Sequence, residues 1–332
     1  MVTFNIPEAA FSTGFMNLVG PLFEKLGLKP YVLYLHTNYL YTCLFLAAVA
    51  AVVFFALKLG RKKKAAPQIA ELTQIQEPEE ISVTQPTILA AACQHIGTRK
   101  DQQDSYGVSE PGDYAEKGIV AVVADGMGGL ANGRAVSSAL VRSLLDGFAN
   151  SAPQQNAADF LLEQAVRANI GVNQMLRGQE RSGSTLVSCV IRGGRLHFLT
   201  VGDSRIYLYR GGALIQLNRE HIYQEELAVK AVNQGASLQQ VRTDRQAHAL
   251  TSYFGIGRIP TLDRNDEGLK LLNGDKILLA SDGVFGTLTQ EQMELALAQN
   301  VTAAANTLGE LVREAGRTHQ DNNTAVVLEY RI

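Results

Sequence analysis

Hydrophobic and polar positions divide the chain into three regimes. From Tyr39 to Leu57 the sequence is uninterrupted by charge, Pro or Gly. At the helical rise such a run is long enough to cross a bilayer, and a continuous helix satisfies its own backbone there. Residues 61–86 mix Lys, Ala, Gln, Glu and Pro without apolar periodicity and predict a flexible tether. From Ile88 onward the pattern is that of one folded domain. Short runs rich in β-formers predict strands over Ile119–Ala124, Thr185–Ile191, Leu196–Val201, Ile206–Tyr209, Lys276–Leu279 and Thr324–Tyr330. Gly193-Gly194 and Gly211-Gly212 predict tight turns. Helical periodicity covers Asn132–Phe148, Ala157–Met175, Ile222–Asn233, Gln290–Ala298 and Thr302–Arg317. Hairpin strands in series with helices in separate blocks predict an α+β fold.

The flanks of the apolar run set its orientation. Lys58, Arg61, Lys62, Lys63 and Lys64 follow it at once, and such clusters stay on the cytoplasmic side. Tyr39 and Tyr41 suit an interfacial anchor. A cleaved leader has its charges before the apolar core, the reverse of this order. The expectation is a single transmembrane helix over 39–59, a linker over 60–87 and a cytoplasmic domain over 88–332. In residues 1–38, Phe11, Phe15, Leu18, Leu22 and Leu26 recur at roughly helical spacing. A segment lying on the membrane surface and a small partner-binding segment both fit.

Across 332 residues, 46% hydrophobic and 19% charged, the profile is that of a globular protein with a membrane element. The net charge of −2 supplies no global basic field for nucleic acid. Cys43, Cys93 and Cys189 form no CxxC pair. Their spacing argues against a disulfide framework and against zinc, and fits a reducing compartment.

The chemistry lies in the acids. Asp125, Asp203 and Asp282 each close an apolar strand beside small residues, Asp321 precedes the last strand, and Asp104 starts one. Any one of these reads equally well as a turn former. Four Asp-small-residue corners at strand ends are harder to explain that way. Carboxylates converging at one sheet edge repel unless a cation joins them. Oxygen ligands without His or Cys favour Mg2+ or Mn2+.

Five blocks occur in order: Val123-Ala124-Asp125-Gly126-Met127-Gly128-Gly129, Ser182-Gly183-Ser184-Thr185, Val201-Gly202-Asp203-Ser204-Arg205, Ala280-Ser281-Asp282-Gly283 and Asp321-Asn322-Asn323-Thr324. Together they resemble the motifs of bacterial type 2C (PPM-family) metal-dependent protein serine/threonine phosphatases, from about Ile88 to the C-terminus. The resemblance implies an α/β/β/α sandwich of two antiparallel sheets with a metal cleft at one edge. It implies that Asp125 bridges two metals with the Gly126 carbonyl, that Asp282 and Asp321 complete one of them, and that Asp104 acts through water. It further implies that Asp203 with Asp282 binds a third ion and that Arg99 binds the substrate phosphate. The implied reaction is attack of metal-activated water at a binuclear Mg2+ or Mn2+ site on phosphoserine or phosphothreonine, without a phosphoenzyme. The implied setting is a phosphoprotein substrate, a cognate Ser/Thr kinase and a bacterial inner membrane.

The chain departs from that pattern at several positions. Gln102-Gln103-Asp104 stands for Asn-Glu-Asp, and Leu130, Arg134 and Glu220-His221-Ile222 replace other family residues. Met127, common in bacterial members, stands where many eukaryotic members carry a His. His221 and His319 read as structural. Residues 222–258 fall where the family carries a variable flap. There Arg242, Arg245 and Arg258 suit either an anionic peptide or a solvated face. These departures keep open a second expectation, a catalytically weak module that binds a phosphoprotein or envelope partner. A third expectation makes residues 1–38 a sensor acting through the tether.

Overall fold

The computed structural model describes residues 87–110, 114, 116–128, 132–177, 182–235 and 237–332. The expected N-terminal segment, the 39–59 span and residues 60–86 of the linker lie outside the described residues. Among the described residues no helix is long and apolar enough to cross a membrane.

In chain order the domain runs β1 (Thr87–His95), β2 (Ser105–Val108), β3 (Ile119–Ala124), β4 (Gly126–Met127), α1 (Asn132–Ala149), α2 (Ala157–Met175), β5 (Gly183–Ser184), β6 (Leu186–Arg192), β7 (Arg195–Val201), β8 (Arg205–Arg210) and β9 (Ala213–Gln216). It continues with α3 (Tyr223–Gln234), α4 (Leu238–Thr243), β10 (Asp263–Arg264), β11 (Leu269–Lys270), β12 (Lys276–Ala280), α5 (Asp282–Phe285), α6 (Gln290–Leu297), α7 (Val301–Glu314) and β13 (Asn323–Arg331). One large sheet has the order β1-β13-β12-β8-β9, the other has β10-β7-β6-β3-β2 with β11 also on β7, and β4 and β5 pair in a small two-stranded sheet. The pairings are antiparallel throughout.

Side-chain alternation makes the layers. In β3, Ile119, Ala121 and Val123 face the other sheet, while Val120, Val122 and Ala124 face the helices. Every one of these is fully buried, which is why the strand reads as a continuous apolar run rather than an alternating one. Ile277 and Leu279 of β12 and Val326 and Leu328 of β13 meet β3, β6 and β7 in the central core. Leu278, Ala280, Ala325 and Val327 turn outward onto α6 and α7. On the far side, α1 and α2 cover β3 and β6 with Leu140, Leu144, Phe148, Phe160 and Leu161. Helix, sheet, sheet and helix therefore stack as four layers around three cores.

Local signals place the element ends. Asn156 caps α2, its Oδ1 accepting from the Ala158 and Asp159 amides, and Thr289 with Gln292 closes a capping box on α6. Gly193 and Gly194, at φ 55° and 70°, form the turn between β6 and β7 that only a pair tolerating positive φ makes cheaply. The short strands β9, β10 and β11 and the helices α4 and α5 were not expected. Each spans only two to six residues, too few for periodicity to show.

Candidate active site

Strand registers bring the acids to one edge. Ser105 pairs with Ala124, so Asp104 and Asp125 are neighbours at the end of the β2–β3 ladder. Ala280 pairs with both Arg205 and Ala325, which sets Asp282, Asp203 and Asp321 around the same end of the other sheet. These residues surround a cleft of about 610 Å³, with Asp125, Asp203, Asp282 and Asp321 in its lining and Arg99 and Gly126 on its wall.

Each element is pinned. The Asp125 carbonyl accepts from the Thr185 amide and the Ser184 hydroxyl, both at 2.9 Å. Gly126 donates its amide to the Gln103 carbonyl at 3.2 Å. A Cβ at Gly126 would stand 2.3 Å from the Gly133 carbonyl oxygen and 2.6 Å from that of Gln103, so only glycine fits between these backbones. Asp104 is buried, and its Oδ2 accepts from Ser281 Oγ and Thr324 Oγ1, each at 2.8 Å. Asp282 opens α5, where a negative charge meets the helix N-terminus.

The electrostatics are those of crowded, desolvated carboxylates. Burial pushes Asp104 up to about 6, against the opposing pull of the Thr324 and Ser281 hydroxyls. Asp203 is pushed up to about 7 by burial and then by the charge of Asp282. Asp125 lies well above the usual carboxylate range, through burial and the surrounding Asp104, Asp282, Asp203 and Asp321. Asp282 is raised by burial and by Asp321.

Crowding of this kind makes the fully ionised cluster unfavourable and is relieved by protons or by a cation. As ions, Asp104 Oδ1 and Asp282 Oδ1 are buried without a donor. Each bonds to Asp125 only when one of the partners is protonated. Among the described residues no three acidic, His or Cys side chains form a ready-made cage for a metal ion. An all-oxygen donor set, two orphaned carboxylate oxygens and the close backbone approach at Gly126 fit a hard divalent cation.

The rim holds features that the sequence did not disclose. Arg99, well exposed, forms an ion pair with Asp321 Oδ2 at 2.6 Å, tying the expected phosphate binder to an expected metal ligand. Asn322 is a clamp missed by the sequence reading. Its Nδ2 donates to the Ile96 and Asp101 carbonyls at 2.8 and 3.1 Å, and its Oδ1 accepts the Gln103 amide at 2.8 Å. It thus fixes both ends of the loop carrying Arg99. Its place directly after Asp321 was the available signal. Gln103 Nε2 donates to the Gly128 carbonyl at 3.2 Å, a bond a carboxylate cannot make. Arg134 Nε donates to the Gln102 carbonyl at 2.8 Å.

The histidines divide. His221 is buried and its Nδ1 accepts from the Gly202 amide at 3.0 Å, a structural role. His319 is exposed and does not line the cleft. The flap region reaches the cleft through Leu250, bridges to the rest of the domain at Ser184–Phe254, and is closed on itself by the Ile222–Leu250 bridge. Arg245 and Arg258 are exposed and are not part of the cleft lining. The side chain of Arg242 and residue Leu130 lie outside the described residues.

A four-layer α+β sandwich with a carboxylate cleft suited to divalent cations defines the class. Sequence comparison supplies the family: a model of protein phosphatase 2C matches residues 93–315, and the chain belongs to that family. It is 31% identical over 234 residues to the serine/threonine protein phosphatase PstP of Mycobacterium tuberculosis, covering 67% of this chain and 42% of that protein. The chain thus spans about two fifths of that relative's length. Among solved structures it resembles PppA, described as a key regulatory component of T6SS in Pseudomonas aeruginosa. The identity is 30% and the TM-score 0.60, over 73% of this chain and 97% of that one. A PstP catalytic domain in complex with two manganese ions is 26% identical, with TM-score 0.60 over 75% and 100% of the two chains.

Proposed function

We propose that this chain is a metal-dependent phosphatase acting on phosphoserine and phosphothreonine in proteins. The observation that carries this reading is the meeting of five aspartates from five chain segments where the ends of the two sheets come together, with a guanidinium on the rim. When bound, Mn2+ or Mg2+ would neutralise phosphoryl charge and acidify water. Asp125 and the Gly126 carbonyl would hold two ions, with Asp282 and Asp321 on one of them and Asp104 behind. Asp203 and Asp282 suit a third. Arg99 receives the phosphate in its planar fork. To do so it leaves Asp321, an exposed pairing worth about 1 kcal/mol or less. Met127 brings no proton to the leaving oxygen, which takes one from water.

The setting is part of the proposal. The 39–57 apolar run and the basic cluster after it support a single-pass anchor in a bacterial inner membrane, with the 88–332 domain in the cytoplasm. A phosphoprotein substrate and a cognate kinase are the partners this chemistry requires.

Gln103 supports a second reading. Its amide replaces a charge beside the metal cleft, which favours a weak or inactive module that binds a phosphoprotein. The full-length chain, assayed on a phosphothreonine peptide with Mn2+, Mg2+ or EDTA, separates the two. Metal-dependent phosphate release supports the enzyme; inactivity of folded, Mn2+-supplied protein that still captures a phosphoprotein supports the module.

A further inference from the structure

A cavity of about 510 Å³ lies between the end of α1 and the first half of α2. That volume is in the usual range of ligand sites, about 300–1,000 Å³. None of its wall residues lines the metal cleft. Gly133 packs beside Gly126 at the start of α1, and Gly147 on the cavity wall follows on the same helix, about 21 Å further along at the helical rise.

Polar groups without partners face this cavity. Gln164 of α2 is 6% exposed, and among the described residues neither its Oε1 nor its Nε2 has a hydrogen-bond partner. Neither atom is sealed off; both keep open surface at the cavity wall. A buried amide left unpaired is costly, so this one is placed to be met by a ligand. Gly147 admits it: a Cβ there would stand 2.3 Å from Gln164 Oε1. Glycine is unfavourable within a helix, and here it leaves the amide its room. One turn back on α1, the half-buried Ser143 hydroxyl also has no partner.

The charge of the wall is negative. Glu163 is engaged by Arg167 and by Gln155 Nε2, the latter at 2.9 Å. Asp146, adjoining Gly147, has no ion pair among the described residues, and Arg142 one turn back does not reach it. The carbonyl end of α1 adds to this, and its last turn carries no basic side chain. Lys117 meets the Ala149 carbonyl at 2.6 Å from outside the cavity wall.

We infer that this cavity binds an arginine side chain presented by a partner protein. The guanidinium donates to the Asp146 carboxylate and to Gln164 Oε1, one acceptor from each helix, at adjoining positions on the wall. A planar fork of five donors suits such a pair of acceptors; the ammonium of lysine is a compact point charge with a tighter hydration shell. Gln164 Nε2 donates to a backbone carbonyl of the same segment, so a peptide satisfies both ends of the amide. Citrulline keeps the shape of arginine but leaves Asp146 without a counter-charge. Anions are excluded by Asp146 and by the end of α1. The site is independent of the catalytic reading.

The test is NMR titration of the full-length chain, with Mg2+ present to occupy the cleft carboxylates. The probes are acetylated, amidated Ala-Arg-Ala and its lysine and citrulline counterparts. The Gln164 side-chain amide and the Gly147 backbone amide report this cavity, and the Gly126 and Gly128 amides report the cleft. The arginine peptide should shift the Gln164 and Gly147 signals saturably, with the lysine and citrulline peptides weaker by about tenfold or more. Asp146→Asn lowers the affinity by about tenfold and Gln164→Leu by about fivefold. Gln164 is buried, so the exposed Asp146→Asn decides if the Leu variant does not fold. Unmoved Gln164 and Gly147 signals, shifts confined to the cleft, citrulline or lysine binding as tightly as arginine, or indifference to Asp146→Asn overturns the inference. Arginine binding here in a chain without phosphatase activity would sink the catalytic reading alone.

Discussion

Ser281 donates its hydroxyl to Asp104 Oδ2 at 2.8 Å, joining residues 177 positions apart in the sequence. Thr324 makes the matching bond from the neighbouring strand. These two donors hold a buried carboxylate in position at the back of the cleft, and both favour its ionised form. Ser281→Ala is expected to raise Asp104 further above about 6 and to weaken Mn2+ binding. It should also cost about 1.5–3 kcal/mol of stability, as for other hydrogen bonds to charged groups. Urea unfolding and Mn2+ titration of the same variant measure the two effects.

The raised carboxylates set the pH dependence of the metal-free chain. Asp104 and Asp203 are pushed up to about 6 and about 7 from an ordinary 3.8, so the folded state binds more protons than the unfolded state across that interval. Their contribution to stability is present below pH 4 and is lost as pH rises through 6 and 7. In EDTA the melting temperature should fall between pH 5 and pH 7.5. Mn2+ takes the place of the protons, so the stabilisation it brings should grow over the same interval. Melting curves at several pH values with and without Mn2+ measure both trends, and a metal-free chain that gains stability toward pH 7.5 contradicts them.

Gly126→Ala places a methyl group 2.3 Å from one backbone carbonyl and 2.6 Å from another. Neither neighbour is a flexible side-chain end, so β4 must move. The expected destabilisation is about 2 kcal/mol or more, within the range for overpacked sites, with loss of metal-dependent activity. Chemical denaturation gives the first quantity and Mn2+ titration the second.

Asn322→Ala releases the Ile96 and Asp101 carbonyls and the Gln103 amide together. The loop bearing Arg99 loses its anchors while the carboxylates remain. KM for a phosphothreonine peptide should rise more than kcat falls, by about tenfold for a misplaced charge-assisted contact. An equal drop in kcat and kcat/KM, with KM unchanged, would place Asn322 on the chemical step instead.

How far the sequence reached depends on how local the signal was. The strand over Ile119–Ala124 and the helix over Ala157–Met175 match the observed limits, because buried faces and a capping Asn mark them within the segment itself. The aspartates were legible as strand-end corners; their grouping needed the registers of two sheets. The Arg99–Asp321 pair and the Asn322 clamp join residues more than 200 positions apart, and no periodicity reports such contacts. The flap arginines were open to two readings because charge in a variable region says nothing about the direction a side chain takes; Arg245 and Arg258 lie outside the cleft lining.

The central claim is metal-dependent hydrolysis organised by Asp125. The most direct measurement is phosphate release from a phosphothreonine peptide by the full-length chain and by Asp125→Asn, each with Mn2+ and with EDTA. The account predicts release with Mn2+, none in EDTA, and a loss of at least about a hundredfold in Asp125→Asn with the fold retained. Release that persists in EDTA, or that survives in Asp125→Asn, would contradict it.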